Sequence, residues 1–185
     1  MTKKNFFTTH QRKIQKLNKG INVANALLKH RVYENLRPEY IKLIKSSNFL
    51  IISTNTKKYP DTSIKCGLKG FIKVRNKNLI EWKDYDGNRM FRTTGNISGN
   101  KFVSLLFFDL DNPDKKDKSN TPVKLRILGE AKFEKTKKII SVKIKYAFSN
   151  CPRYLPNYKF VSYSKFLLKK VTPEWKRRSY IKDLL

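Results

Sequence analysis

The apolar residues change period near residue 48, and that change constrains the fold more than any other feature of the chain. Before it, Ile14, Leu17, Ile21 and Ala24 recur three and four residues apart, the spacing that keeps side chains on one face of a helix. Gly20 marks a break between helical pieces, and "RPEYIKLIKSS" predicts a further short helix opening at Pro38. Beyond residue 48 the pattern is one of short segments: "NFLIISTN", "TSIKCG", "FIKVRN", "LIEWKDY", "KFVSLLFFDL", "VKLRILGEAKFEK" and "IISVKIKYAFSN". Alternation is cleanest at Val142, Ile144 and Tyr146. A period of two sends successive side chains to opposite faces of a pleat, so each segment predicts a strand with one buried face. Turn residues divide them, at "TKKYPD", Gly67, Gly70 and Asn76–Asn78. "KFVSLLFFDL" is the most apolar and predicts a central strand, followed by a solvated loop at 111–122. Six or seven strands in meander order, with one helix at 87–98, predict a mainly β fold: a small antiparallel barrel with peripheral helices.

At 185 residues the chain is long enough for one domain with a real core. A helical segment at 10–47, a barrel at 48–150 and an extension at 151–185 divide it. In the extension, Pro152 and Pro156 interrupt regular structure, and "PEWKRRSYIKDLL" predicts a final helix with Thr172 as its cap and Pro173 at its first position.

The net charge is +28, from 42 Lys+Arg against 14 Asp+Glu. Two readings stand. Such a balance suits a polyanion such as nucleic acid, bound weakly and without sequence preference. Yet only ten of the basic residues are Arg, and the Lys are spread from Lys3 to Lys182, which suits a solvated surface. The N-terminal "MTKKNFFTTHQRKIQK" lacks the apolar core of a signal peptide, and the apolar run Phe49 to Ile52 is too short to span a bilayer. A cytoplasmic protein without a membrane partner is expected. Cys66 and Cys151 match no metal or redox spacing, and two His leave a zinc site short of ligands. Neither His10 nor His30 sits in a triad-like context, and no phosphate-cradling glycine fingerprint is present. Catalysis by this chain therefore calls for a bound group.

The stretch "EWKDYDGNRMFRTTGN", 81–96, offers a place for one. A strand ends near Tyr85, the chain turns through Gly87, and a helix is predicted to follow. Helix N-termini present unpaired N–H groups and suit phosphate. Asp86 or Gly87 would cap the helix, Asn88 would donate through its amide, and Arg89 would offer a fork to two oxygens, with Arg92 near the same face. A turn with an exposed Arg is the plainer alternative.

Five segments in order, "SIKCGLKGFIKV", "DYDGNRM" with "GN" at 95–96, "VSLLFFDL", "LRILGEA" and "NCPRYL", resemble the pyridoxamine 5′-phosphate oxidase-related family of FMN-binding split β-barrels. The likeness is to its branch with "DYDGN" and "NCPRY" motifs, and it runs from about residue 10 to the "EWKR" near the C-terminus. It implies a six-stranded antiparallel split barrel over residues 1–185 and a homodimer holding FMN, or alternatively the deazaflavin F420, at its interface. By the same resemblance Ser63 and Lys65 would face the flavin, with Lys65 on its phosphate or ring. Cys66 and Gly67 would lie close to the isoalloxazine, Gly67 allowing the backbone to approach it. Trp82, Lys83, Asp84 and Tyr85 would run beside the ribityl chain, and Asn88 and Arg89 would hold the phosphate. Arg153 and Tyr154 would reach the site from the same chain or its partner. Cys66 and Lys69 stand where relatives tend to carry Gly and Pro, and Cys66 is either redox-active or an inert buried filler. No "RRLNP"-like tail is present, which disfavours vitamin B6 synthesis. The implied function is an FMN-dependent oxidoreductase acting on a small-molecule substrate or a reduced nicotinamide donor. The alternative is a non-catalytic barrel binding nucleic acid or another polyanion.

Overall fold

A computed structural model describes residues 3, 6–56, 58–109, 122–151, 153–156, 158–169 and 171–184. In chain order the elements are α1 (Thr9–Leu17), α2 (Ile21–Arg31), β1 (Val32–Tyr33), α3 (Pro38–Ser46), β2 (Phe49–Asn55), β3 (Pro60–Cys66), β4 (Lys73–Asn76), β5 (Leu79–Lys83) and α4 (Arg92–Gly99). Then come β6 (Phe102–Phe108), β7 (Lys124–Glu134), β8 (Ile139–Ser149), α5 (Lys165–Leu168), a 3-10 turn at Glu174–Arg177, and α6 (Ser179–Lys182). Thr8 and Gln11 form a reciprocal capping box that starts α1, and Pro38 sits at the first turn of α3, where its missing N–H costs nothing.

The strands form one antiparallel sheet in the order β3-β2-β6-β7-β8-β5-β4, with β1 beside β8. Inward residues of β2 (Leu50, Ile52) and of β5 (Ile80, Trp82) share one core, although three strands separate them, so the sheet curls around it. β6 lies inside the sheet between β2 and β7, as its apolar run predicts. The expected mainly β, six-stranded barrel needs correction. Among the described residues the fold is mixed α/β, the sheet has eight strands, and its end strands β3 and β4 do not pair. β4 is only four residues long with a register shift after Val74, which leaves little edge for a ladder. Helix α3 contacts both β4 and β6 and sends Tyr40, Leu43 and Ile44 into the core. A helix thus packs against β4 and β6 and covers the core beside the unpaired edge of β4.

Tyr146 departs from the alternation read in the sequence. Ile144 pairs Gly129 and Tyr146 pairs Leu128, so Lys145 is an extra residue, a β-bulge that moves the following side chains to the other face. Ala147 is then buried, while Tyr146 is half-buried and packs edge-on against Phe6. Gly129 makes the bulge possible: a Cβ there would stand 2.6 Å from the Lys143 carbonyl oxygen.

Two helix predictions are also corrected. The helix expected at 87–98 begins at Arg92, because Gly87, Arg89 and Phe91 have φ of +50°, +60° and +49°, which a right-handed helix excludes. The expected C-terminal helix is broken at Arg178, whose extended backbone (ψ 140°) separates the 3-10 turn from α6. The loop predicted at 111–122 lies, except for Pro122, outside the described residues, as does Pro152.

Candidate functional site

The edge strand β3, the end of β5, the turn after it and the start of α4 surround a cleft of about 440 Å³, within the roughly 300–1,000 Å³ of small-molecule sites. The period of β3 turns Asp61, Ser63 and Lys65 to its half-buried side and leaves Thr62, Ile64 and Cys66 exposed. Helix α4 is fixed against the sheet by Asn96, whose Nδ2 donates to Thr54 Oγ1 at 2.9 Å, and by buried Ile97. That anchorage points the first turn of α4 at the cleft, with Arg92, Thr93 and Thr94 in its lining.

Three carboxylates stand here in a chain with few, and each meets a cation. Lys65 Nζ is 2.9 Å from Asp84 Oδ1, both side chains largely buried. Arg92 Nε donates to Asp61 Oδ1 at 2.7 Å. Lys176, from the C-terminal 3-10 turn, donates to Asp86 Oδ2 at 3.2 Å, and Arg89 Nε lies 3.9 Å from the same oxygen. The hydrogen bond from Lys176 holds the Asp86 carboxyl below the usual carboxylate range. Burial of its sulfur pushes the Cys66 thiol up, although the residue as a whole is exposed, so it is not the buried filler of the sequence reading.

Of the residues singled out in the sequence, Ser63, Lys65, Cys66, Trp82, Lys83, Asp84, Tyr85 and Asn88 line this one cleft. Gly67, Arg89, Arg153 and Tyr154 do not. The room beside Gly67 is taken by Phe71: a Cβ at Gly67 would lie 2.4 Å from Phe71 Cγ. Arg89 is exposed, its backbone N–H donating to the Asp86 carbonyl at 2.9 Å. Asn88 uses its side-chain oxygen on the Met90 N–H at 3.0 Å, leaving the amide NH₂ as the group it can offer. Sequence reasoning missed Asp61, Phe91, Thr93, Thr94 and Lys176. Phe91, Thr93 and Thr94 lie inside the stretch 81–96 and Lys176 inside "EWKR", whereas Asp61 carried no signal.

Two features suit an acceptor-rich ligand. Among the described residues no side chain caps α4 at Phe91, and the residues of its first turn, Arg92–Thr94, line the cleft. The helix start expected at Asp86–Arg89 lies instead at Arg92. Trp82, 2% exposed, lines the cleft, and its indole Nε1–H is a buried donor with no partner among the described residues. A buried orphan donor is costly and calls for an acceptor. Among the described residues no cluster of His, Cys, Asp or Glu could hold a metal, and no helix is long and apolar enough to cross a membrane.

No protein-family model matches the sequence, and no curated protein matches it. Solved structures of similar form do exist. One, provisionally described as a pyridoxamine 5′-phosphate oxidase, from Lactobacillus delbrueckii, is 15% identical over 63% of this chain and 96% of that one, with a TM-score of 0.45. An FMN-binding protein from Syntrophomonas wolfei is 14% identical over 74% of this chain and 95% of that one (TM-score 0.41). An FAD-binding protein from Mycobacterium smegmatis is 14% identical over 61% and 96% (TM-score 0.39).

Proposed function

We propose that this protein is a flavin-dependent oxidoreductase of the pyridoxamine 5′-phosphate oxidase-like split-barrel type, holding FMN in the cleft between β3, β5 and α4. The observation that carries the reading is convergence. Residues from "SIKC", "EWKDY" and "DGN", 25 positions apart between Ser63 and Asn88, meet around one cavity that also holds an orphan indole donor and an uncapped helix start. In this assignment the first-turn N–H groups of α4 and the Asn88 amide bind the phosphate, with Arg89 swinging in from its loose contact with Asp86. Ser63 and the Trp82 N–H bind polar edges of the ring or ribityl chain. Lys65 is held in place by its ion pair with Asp84. The bound flavin supplies hydride acceptance and donation. The protein's part is to orient the ring and exclude water on the β3 side. The assembly is a homodimer, and because Arg153 and Tyr154 lie outside the cleft of their own chain, they are assigned to the partner's cleft.

Titration of the apo-protein with FMN, followed by flavin fluorescence and by a flavin spectrum that survives gel filtration, tests the assignment. Stoichiometric binding that is weakened when Trp82→Phe removes the indole donor supports it. Absence of binding by FMN overturns it, and binding by F420 alone transfers the site to a deazaflavin.

A further inference from the structure

From the basic hairpin of the amphipathic α1 and the more apolar α2, we propose that this protein docks peripherally on anionic membrane surfaces. Neither helix contributes a buried residue, yet both carry large aliphatic side chains in the open. Ile14 and Leu17 are three apart on α1, 59% and 77% exposed; Val23 and Leu27 are four apart on α2, 63% and 52% exposed. Each pair forms a stripe on one helix face. The hairpin is rigidly held. Arg12 Nη1 donates to Asn25 Oδ1 at 2.8 Å between the helices, Lys3 Nζ donates to the Leu28 carbonyl at 2.7 Å, and Phe6 stacks edge-on against Tyr146 and Phe148 of the sheet.

Charge decides what covers those stripes. Residues 1–33 contain eight Lys and Arg and no Asp or Glu, the first acid being Glu34. A second copy of this chain brings another +28 and little with which to neutralise them. Nucleic acid would meet the charge but not the aliphatic stripes, since it rewards stacking aromatic groups and neither helix carries a Phe, Tyr or Trp. A bilayer containing anionic lipid answers both: Lys13, Lys16, Lys19 and Lys29 meet headgroups while Ile14, Leu17, Val23 and Leu27 enter the acyl boundary. Such a helix lies in the interface and spans nothing, so it needs no segment of membrane-crossing length.

Co-sedimentation of the full chain with vesicles of phosphatidylcholine, with and without phosphatidylserine, tests this. The expected result is pelleting with the anionic vesicles only, weakened by added salt. Ile14→Glu and Leu17→Glu should each reduce vesicle affinity about tenfold or more, the loss of one buried aliphatic side chain. Because these positions are exposed, circular dichroism should be unchanged. Lys13→Glu with Lys16→Glu should also abolish pelleting, while Lys132→Glu on β7 should not. Wild type that ignores anionic vesicles, or glutamate variants that pellet like wild type, overturns the proposal. So does light scattering in which Ile14→Glu and Leu17→Glu turn a dimer into a monomer, which would give the face to a second copy. Equal loss of duplex DNA binding in the same two variants would give it to nucleic acid.

Discussion

At the scale of single residues, two glycines that resemble each other in sequence have different reasons to be there. Gly129 opposes backbone: its added Cβ would meet the Lys143 oxygen at 2.6 Å and Val142 Cγ1 at 2.8 Å. Gly67 opposes Phe71, with Cγ at 2.4 Å and Cβ at 2.6 Å. Gly129→Ala should destabilise by about 1–3 kcal/mol or more, as overpacked cores do, because a strand carbonyl cannot step aside without breaking the β7–β8 ladder. Gly67→Ala should cost a similar amount, and adding Phe71→Ala should not fully rescue it, since the Cβ of that residue remains in the way. Urea midpoints of the three variants measure this. If Gly67→Ala keeps its stability and loses only flavin affinity, the glycine serves the ligand and not Phe71. Arg89 and Arg92 form a second contrast. Arg92 is committed to Asp61, whereas Arg89 has only a 3.9 Å approach to Asp86. Arg89→Ala should therefore weaken FMN about ten- to hundredfold, the loss of one hydrogen bond to a charged group (roughly 1.5–3 kcal/mol). Arg89→Lys should recover part of that, and Arg92→Ala should lose less. Equal FMN titrations for wild type and Arg89→Ala would move the phosphate to α4 alone.

The elements show which parts of the sequence spoke plainly. β2, β5, β6, β7 and β8 were legible because alternation and burial coincide in them, from Leu50 and Ile52 to Leu125 and Ile127. The sharing of one cleft by Ser63, Lys65, Trp82 and Asn88 was legible only through the motif resemblance, as no local pattern says that β3 and the end of β5 meet. What stayed hidden depends on contacts distant in the chain or on backbone angles. Left-handed φ at Arg89 and Phe91 delays α4 without a Gly to announce it, the bulge at Lys145 reverses the face of Tyr146, and Lys176 reaches Asp86 across 90 residues. That last contact makes the 3-10 turn sensitive to acid. Asp86 has a carboxyl pKa lowered in the fold, chiefly by the Lys176 hydrogen bond, so the contact's contribution is complete above the unfolded carboxylate value and is lost as pH falls through the lower folded value. In a Trp82→Phe background, Trp175 is the remaining indole and sits in that turn. Its emission should shift on acidification below about pH 4, the ordinary Asp range. Asp86→Asn should show the shifted emission already at neutral pH and no acid transition. An unchanged neutral spectrum in Asp86→Asn would show that other contacts hold the turn.

The whole molecule leaves apolar surface that one chain does not cover. Ile64 on the edge strand and Phe102 on β6 are each 61% exposed, and in the extension Tyr154 and Val161 are 89% and 88% exposed. Patches of this kind mark contact surfaces, and most soluble assemblies are closed symmetric pairs. A dimer in which each extension crosses to the other chain would cover them and carry Arg153 and Tyr154 to the partner's cleft. Light scattering at micromolar concentration should accordingly return twice the 21.9 kDa of the chain, and Ile64→Glu should return one. Mixing two defective chains then decides whether the crossing is real. Take one chain with Arg153→Ala and another with Arg89→Ala, each weak in FMN binding as a homodimer. In a mixed dimer with crossing extensions, the cleft of the first chain keeps its Arg89 and receives an intact Arg153, while the other cleft lacks both. One site of the two should regain wild-type affinity. If each extension serves its own cleft instead, every site in every mixture carries one defect, and refolding the chains together restores nothing.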